Sequence, residues 1–545
     1  MKRNLPLTLC FLLAFVGFFV RNVEAQAPRF TVVSPESLGI DYVRGASTTE
    51  AIAEAFRQQG TGPTMPLLVG HPLKSFGASG IALLDYDLDG DLDIYVTNGP
   101  GRENGLYANQ LADGEFGFVQ VPAAAGADAT EQDSTGVCFG DIDNDGDPDL
   151  LVLGRNEPKR LFENLGGWFV DISFRSGSEI TATSRNSSSC TMADFNGDGR
   201  LDIYVGNTMD WSSKRAIFVE PFALNEPNQL YLNRGDNRFR DVSATAGILR
   251  GVHDISWSVS AWDYDADGDV DILVANDQGA IPLARYGGVD RGFIRVLQND
   301  GRAHFTDVTQ AIGQEIPGGW MGFSVADYDS DGTIDMFVSS VGDWIEPFVG
   351  LPYNTRDQST RWFLNNGNGT FRDPGVGALR ATPWAWGTTM LDAENDGDFD
   401  VASFGGLDAG IMVERSNPGI LYVNDGHAGF SYAADALPSS VYLRRNEHGV
   451  ASGDLNGDGL EDIVSVSDVN APNAMPLAPY GFVYGSPFDA LASFWPVWAP
   501  TGNGDELAWT GFELEHGTLA IALALMAKFR ISGVPVTDHG KLVGI

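Results

Sequence analysis

One nine-residue pattern of oxygen-bearing side chains recurs seven times in the chain of 545 residues. It reads D-x-[D/N]-x-D-G-x-x-D, and each copy follows an apolar run. The copies place acids or amides at Asp85, Asp87, Asp89 and Asp93, then at Asp141, Asp143, Asp145 and Asp149. The third has Asp194, Asn196, Asp198 and Asp202, and the fourth Asp263, Asp265, Asp267 and Asp271. The fifth has Asp327, Asp329, Asp331 and Asp335, the sixth Asp392, Glu394, Asp396 and Asp400, and the seventh Asp454, Asn456, Asp458 and Asp462. Carboxylates this dense repel one another, which raises their pKa or opens the loop unless a cation sits among them. The donors are all oxygens, with no His or Cys interleaved, so the ion expected is hard rather than zinc. Positions 1, 3 and 5 are expected to ligate by side chain, position 7 by its backbone carbonyl, and position 9 closes the set. Glycine at position 6 permits the sharp turn, as in an EF-hand. An EF-hand ends with Glu at position 12 and lies between helices; here Asp closes at position 9 and the flanks are strands. The expectation is calcium on β-hairpins, up to seven Ca²⁺. Asn196 and Asn456 keep an oxygen at position 3 but drop a charge, and Glu394 lengthens the arm. Thr333 and Leu460 at position 7 matter little if the carbonyl is the ligand.

The elements that hold these loops follow from the spacing. First aspartates lie 56, 53, 69, 64, 65 and 62 residues apart. That period is too long for a solenoid coil and suits a four-stranded propeller blade with generous loops. A second hairpin signal lies between the acidic loops: Leu230-Tyr231-Leu232-Asn233, then Gly235, then Phe239 and Asp241-Val242. It echoes at Val296-Leu297 with Asn299, Gly301 and Phe305, and at Phe363-Leu364-Asn365 with Gly367 and Phe371. Two hairpins make four strands. After the first loop, Leu92, Ile94 and Val96 share one strand face. Phe30 to Val33 with Gly39-Ile40 matches the segment Phe239 to Val242 with Gly247-Ile248, so the N-terminal segment is expected to pair with the last blade and close the ring. Ser47 and Glu50 form a capping box before a short helix that ends near Gly60. The fold class expected is all-β: a seven-bladed β-propeller with calcium-binding hairpin loops, plus a short α/β C-terminal tail.

Composition bounds the partners. There are 34 Lys+Arg against 73 Asp+Glu, a formal net charge of −39. This excludes nucleic acid and anionic membrane surfaces as partners, because both need a basic face. Lys2 and Arg3 precede an apolar run over Leu5 to Val20, followed by Val23-Glu24-Ala25, which reads as a secretory signal peptide. The run is short for a membrane span, which needs ~20 residues, so no stable membrane insertion is expected. Localisation is then secreted, periplasmic or cell-surface. Cys138 and Cys190 lie three and four residues before their loops. That offset points them to opposite strand faces, and free buried thiols are the preferred expectation, with a disulfide as the alternative.

The repeats resemble the FG-GAP/VCBS repeats of integrin-α-type β-propellers, and most resemble the cartilage acidic protein-like exported family. The likeness spans roughly residues 29–485. It implies a seven-bladed propeller with calcium along one rim and first ligands at Asp85, Asp141, Asp194, Asp263, Asp327, Asp392 and Asp454. Other features read more plainly. Arg234-Gly235-Asp236 spells an integrin-recognition tripeptide but occupies a hairpin turn. Trp257, Trp262, Trp320, Trp384 and Trp386 precede acidic loops and are expected to pack between blades, the alternative being a ligand face around the central channel. Asn186-Ser-Ser188 and Asn368-Gly-Thr370 fit glycosylation triplets. No nucleophile elbow, zinc helix or phosphate loop is present in the sequence, and the His residues are scattered. The function expected is therefore not enzymatic. It is an exported, monomeric, calcium-binding module that holds an extracellular protein or glycan on the face opposite the calcium rim. A polysaccharide lyase or hydrolase built on a propeller is the alternative.

After about Ser467 the repeat stops. The expected division is a signal peptide over 1–25, an N-terminal segment over 26–75, the propeller over 76–485, a linker over 486–517 and a tail over 518–545. In the tail, Thr518 to Phe529 reads as a helix. Ala524 to Ala527, Ile531-Ser-Gly533-Val-Pro-Val536 and Gly540 to Ile545 resemble half of a CBS domain of the IMP dehydrogenase type. CBS modules bind nucleotides as pairs, and this is less than one, so a truncated or chimeric gene is expected rather than a working nucleotide site.

Overall fold

The computed structural model describes residues 30–47 (without 32 and 46), 79–208 (without 176), 226–249, 254–277, 292–340, 359–375, 379, 385–405, 419–433, 436 and 447–467, with four short strands after residue 497. The signal peptide, the helix after Ser47 and the helix over 518–529 lie outside the described residues. No described helix is long and apolar enough to cross a membrane.

Alternating apolar residues and Gly/Asn turns fold into antiparallel sheets whose strands follow chain order. The first sheet is β1 (Ile81–Leu84), β2 (Asp93–Val96), β3 (Gly105–Asn109) and β4 (Phe118–Gln120). The second is β5 (Ser134–Gly140), β6 (Asp149–Glu157), β7 (Arg160–Asn164) and β8 (Phe169–Asp171). The third is β9 (Arg185–Ala193), β10 (Asp202–Asn207), β11 (Gln229–Asn233) and β12 (Phe239–Asp241). These two join where β6 extends past its own sheet and pairs Arg155 with Asn186 of β9. Then come β13 (Ser256–Trp262), β14 (Asp271–Asn276), β15 (Ile294–Asn299) and β16 (Phe305–Asp307). The fifth sheet is β17 (Phe323–Ala326), β18 (Asp335–Val338), β19 (Arg361–Asn365) and β20 (Phe371–Arg372). The sixth is β21 (Gly387–Leu391), β22 (Asp400–Phe404), β23 (Ile420–Val423) and β24 (Ser431–Tyr432). The described residues end the series with the pair β25 (Glu447–Gly453) and β26 (Asp462–Ser467). In every sheet the acidic loop is the turn of the first hairpin.

The core lies between sheets, and this makes the fold a propeller. Tyr95, Leu84 and Leu106 of the first sheet cluster with Leu150, Val152 and Phe162 of the second. Leu151 and Leu153 cluster with Ile203, Val205 and Tyr231 of the third. Similar clusters link each later pair. The last sheet meets the first, where Leu455 and Val466 pack with Ile94, Val96 and Tyr107. The strands after the acidic loops are therefore buried on both faces, and β2, β10, β14, β18 and β22 are buried throughout. Alternation along them divides one inter-sheet core from the next, not core from solvent.

The N-terminal segment touches both ends of the ring. The Phe30 N–H donates to the Ala436 carbonyl at 2.8 Å, and the Phe305 N–H donates to Ala246 at 2.7 Å. The Phe30 side chain packs against the core shared by Leu391, Leu421 and Ile463. Gly39, at φ +85°, lies so close to the Phe118 carbonyl that a Cβ would overlap it, as Gly247 does against Phe305. Arg44 is buried, donating to the Thr97 and Ser134 carbonyls, and lies 3.6 Å from the Asp133 carboxylate.

The expectation of free thiols is corrected. Cys138 and Cys190 form a disulfide, with Cα atoms 5.9 Å apart. The opposite-face reasoning was sound for each strand, but β5 and β9 belong to neighbouring blades. The face of one blade packs against the opposite face of the next, so opposite offsets bring the two sulfurs together. The stretch expected to be a linker holds a hairpin of β27 (Trp498–Pro500) and β28 (Leu507–Trp509). In the tail, β29 (Val536–Asp538) and β30 (Lys541–Gly544) form another.

Candidate metal centres

All seven acidic loops adopt one hydrogen-bonded form. In the first, Asp85 accepts from the Asp89 and Gly90 N–H groups at 3.0 Å each. The same two bonds recur at Asp141, Asp194, Asp263, Asp327, Asp392 and Asp454. The position-5 carboxylates Asp89, Asp145, Asp198, Asp267, Asp331, Asp396 and Asp458 each accept from the N–H of position 7. Position 6 is left-handed in every copy, as at Gly90 with φ 97°. A Cβ there would meet nothing within 4 Å, so glycine is required by backbone angle and not by space. Position 4 is left-handed too, at Leu88, Asn144, Gly197, Ala266, Ser330, Asn395 and Gly457. That second bend was not read from the sequence, because only two copies mark it with glycine.

Position 9 is the structural hub. Asp93 is buried and accepts from the Tyr86 N–H at 3.0 Å and from the Asn109 N–H at 2.8 Å. Asn109 in turn donates through Nδ2 to Leu455 in the preceding loop of the ring. The pairing recurs as Asp149 with Asn164, Asp202 with Asn233, Asp271 with Asn299, Asp335 with Asn365 and Asp400 with Asn424. Each of these asparagines donates to the position-2 carbonyl of the preceding loop: Tyr86, Ile142, Phe195, Tyr264 and Tyr328. Asp462 accepts from Leu455 in the same way. The asparagine read from sequence as a turn residue is thus an inter-blade clamp.

Carboxylate oxygens of positions 1, 3 and 9 converge within 4.8 Å of one another in four loops. These are Asp85, Asp87 and Asp93; Asp141, Asp143 and Asp149; Asp263, Asp265 and Asp271; and Asp327, Asp329 and Asp335. Position 5 does not join them. Loops three, six and seven put Asn196, Glu394 and Asn456 at position 3. Burial pushes Asp93, Asp149, Asp202 and Asp271 up to about 7 and Asp335 up to about 6, against backbone N–H bonds that lower them. Burial, then Asp400, Asp396 and Asp392, raises Glu394. Asp143 Oδ1, Asp265 Oδ1, Asp329 Oδ1 and Glu394 Oε2 are buried with no hydrogen-bond partner among the described residues. An orphaned carboxylate oxygen beside two other carboxylates is what a bound cation would satisfy, so the donor set fits a hard divalent ion.

Position 7 carries a further role unseen in sequence. Asp91 accepts from the Ala112 N–H at 2.9 Å, and Asp147 accepts from the Gly166 N–H, tying these two loops to the turns of their second hairpins. Arg234-Gly235-Asp236 is a tight turn, with Gly235 and Asp236 both left-handed and Asp236 paired to Arg238 at 3.1 Å. Asn186 is buried and donates to Thr208 Oγ1, whereas Asn368 is exposed in its turn. Trp320 is fully buried between blades, and Trp384 lies outside the described residues.

The family of FG-GAP-like repeats matches residues 85–152, 141–205, 263–338 and 348–403. Mouse cartilage acidic protein 1 is 27% identical over 288 residues, which cover 50% of this chain and 40% of the relative. The human protein is 26% identical over 284 residues, covering 50% and 39%. The chain thus spans about two fifths of the length of the curated relatives it matches. Among solved structures, an Agrocybe aegerita lectin described as recognising non-reducing terminal N-acetylglucosamine aligns at 17% identity and a TM-score of 0.40, over 73% of this chain and 87% of that one. BBS1N in complex with ARL6DN aligns at 9% identity and a TM-score of 0.39, over 72% and 90%.

Proposed function

From repeats that match the FG-GAP-like family, set in a propeller fold, we propose an exported, seven-bladed calcium-binding module that holds a protein or glycan and performs no catalysis. The observation that carries the calcium reading is the set of three converging carboxylates, one with an orphaned oxygen, in repeated loops. Positions 1, 3 and 9 would hold the ion, and bound calcium would supply the positive charge that offsets their repulsion. Loop, second hairpin and neighbouring blade are already joined through Asp93, Asp91 and Asn109 and their equivalents. The ion therefore stiffens a rim whose backbone is otherwise preset. Binding is read as the output because the described loop carboxylates are held as hydrogen-bond acceptors within their own turns. Calorimetric titration of chelator-stripped protein tests the first half: several calcium ions per chain are expected, and none would overturn it. A pull-down from extracellular extract with and without calcium, paired with a reducing-end assay, tests the second. Calcium-dependent capture without new reducing ends supports the module, and release of reducing ends would favour the enzyme.

A further inference from the structure

The first strands of all seven hairpins, β1, β5, β9, β13, β17, β21 and β25, surround a cavity of about 220 Å³ that is partly open to solvent. It lies at the end of these strands away from the acidic loops. Thr388, in its wall, precedes Asp392 by four residues, a rise of about 13 Å along a strand. The cavity is thus separate from the candidate metal centres.

Its wall has a consistent chemistry. No Asp, Glu, Lys or Arg is among the described residues that line it; glycines, serines, threonines and an asparagine make most of it. Trp257 and Trp386 meet there edge to face with ring centres 4.9 Å apart, and His448 stacks on Trp386 at 4.7 Å. Trp257 is steered by its indole N–H, which donates to Asp277 at 3.2 Å. Two polar atoms of residues in the wall, Thr388 Oγ1 and His448 Nε2, lie just behind its surface, buried and with no hydrogen-bond partner among the described residues. Such atoms destabilise the fold when left unpaired. Burial, then the charges of Arg155 and Arg44, pushes His448 down to about 3, so the ring is neutral at pH 7.

A neutral wall rejects a charged ligand, because nothing offsets the buried charge. A wall rich in small polar residues, backed by unpaired hydroxyl and imidazole groups and set beside indole rings, suits a compact molecule with an apolar ring face and a hydroxyl edge. The volume is below the ~300–1,000 Å³ of drug-sized sites, so it admits one ring and not a chain. We propose that the central cavity binds a single neutral monosaccharide unit, the terminal residue of a glycan. This rests on the reading of the chain as a binding module and names the class it binds.

The test uses the full chain in saturating calcium, titrated with glucose, galactose, mannose, fucose and N-acetylglucosamine, with glucuronate as the charged control. Calorimetry and tryptophan fluorescence are expected to show one site for at least one neutral sugar and none for glucuronate. Thr388→Val, close in shape to the native residue, and His448→Gln are each expected to weaken that binding about tenfold. The Thr388→Val protein should keep its unfolding temperature, which separates lost contact from lost fold. Neutral-sugar binding untouched by both substitutions, or a preference for glucuronate, would overturn the assignment. A chain that binds no neutral sugar at tens of millimolar yet captures a protein in calcium loses the cavity assignment and keeps the module reading. A chain that does neither loses both.

Discussion

Each aspartate at position 9 is pulled in two directions. Two backbone N–H groups favour the ionised form of Asp93, and burial opposes it more strongly, leaving it at about 7. An unfolded aspartate titrates near ~3.9. Between these values the metal-free native state holds protons that the unfolded chain has released, so stability falls as pH rises from about 4 to about 7. In excess chelator the urea midpoint is therefore expected to be higher at pH 5 than at pH 8. In saturating calcium the slope should flatten or reverse, because the cation competes with the proton. A midpoint that rises with pH in chelator would contradict the burial argument. The partner asparagine is open to a simpler check. Asn164→Ala removes the bonds to the Tyr86 carbonyl at 2.8 Å and to the Pro148 carbonyl at 3.2 Å. With the Tyr86 carbonyl left unpaired, the expected loss is about 1–3 kcal/mol in urea denaturation.

At the scale of elements, the seven loops are alike in backbone and unequal as candidate ion sites. The third has Asn196, whose Nδ2 donates to Asp202 at 3.1 Å, and Arg200, paired with Asp198 at 2.6 Å. In the fifth, Arg372 reaches Asp329 at 2.8 Å. The third loop should bind calcium most weakly. Asn196→Asp is expected to tighten it by about tenfold, since affinity follows ligand charge; calcium titration would show the gain at the weakest site. The link between β5 and β9 closes a loop with a sequence separation of 52. Chain entropy assigns such a closure about 4 kcal/mol, so Cys138→Ser is expected to lower the unfolding temperature in non-reducing buffer. These elements also mark how far sequence reading reached. Hairpin loops, their period and position-6 glycine were legible because spacing and one residue type encode them locally. The Asn109 clamp, the Asp91 tie and the Cys138–Cys190 bond were not, because each joins chain segments through packing that no local pattern records. The left-handed bend at Leu88 or Ala266 was hidden for a different reason: loop hydrogen bonds force an angle that the residue type disfavours.

For the whole molecule, acidity and stability are one question. The seven loops hold 31 of the 73 acidic residues, so most of the net charge of −39 has a local address. Extracellular calcium modules bind at roughly 10⁻⁴–10⁻³ M. Near that concentration each occupied site adds about 0.4 kcal/mol. Occupancy of all seven would give about 3 kcal/mol, a large share of ordinary net stability. Chelation is expected to lower the unfolding temperature by several degrees, and an unchanged melt would remove calcium from the stability account. Ring closure has its own probe in Phe30, which joins the core near Leu391 and Ile463 and bonds Ala436. Phe30→Ala is expected to cost about 2 kcal/mol from lost burial.

The position-9 carboxylates also set the slowest clocks in the molecule. The amides of Tyr86, Ile142, Phe195, Tyr264, Tyr328, Ala393 and Leu455 end on these oxygens. So do those of the six clamp asparagines. Apart from that of Leu455, whose Asp462 is only half-buried, each opens at the expense of a buried acid. In deuterated solvent these hydrogens should be the last to exchange, and at similar rates around the circle, since a closed ring offers no free end from which to fray.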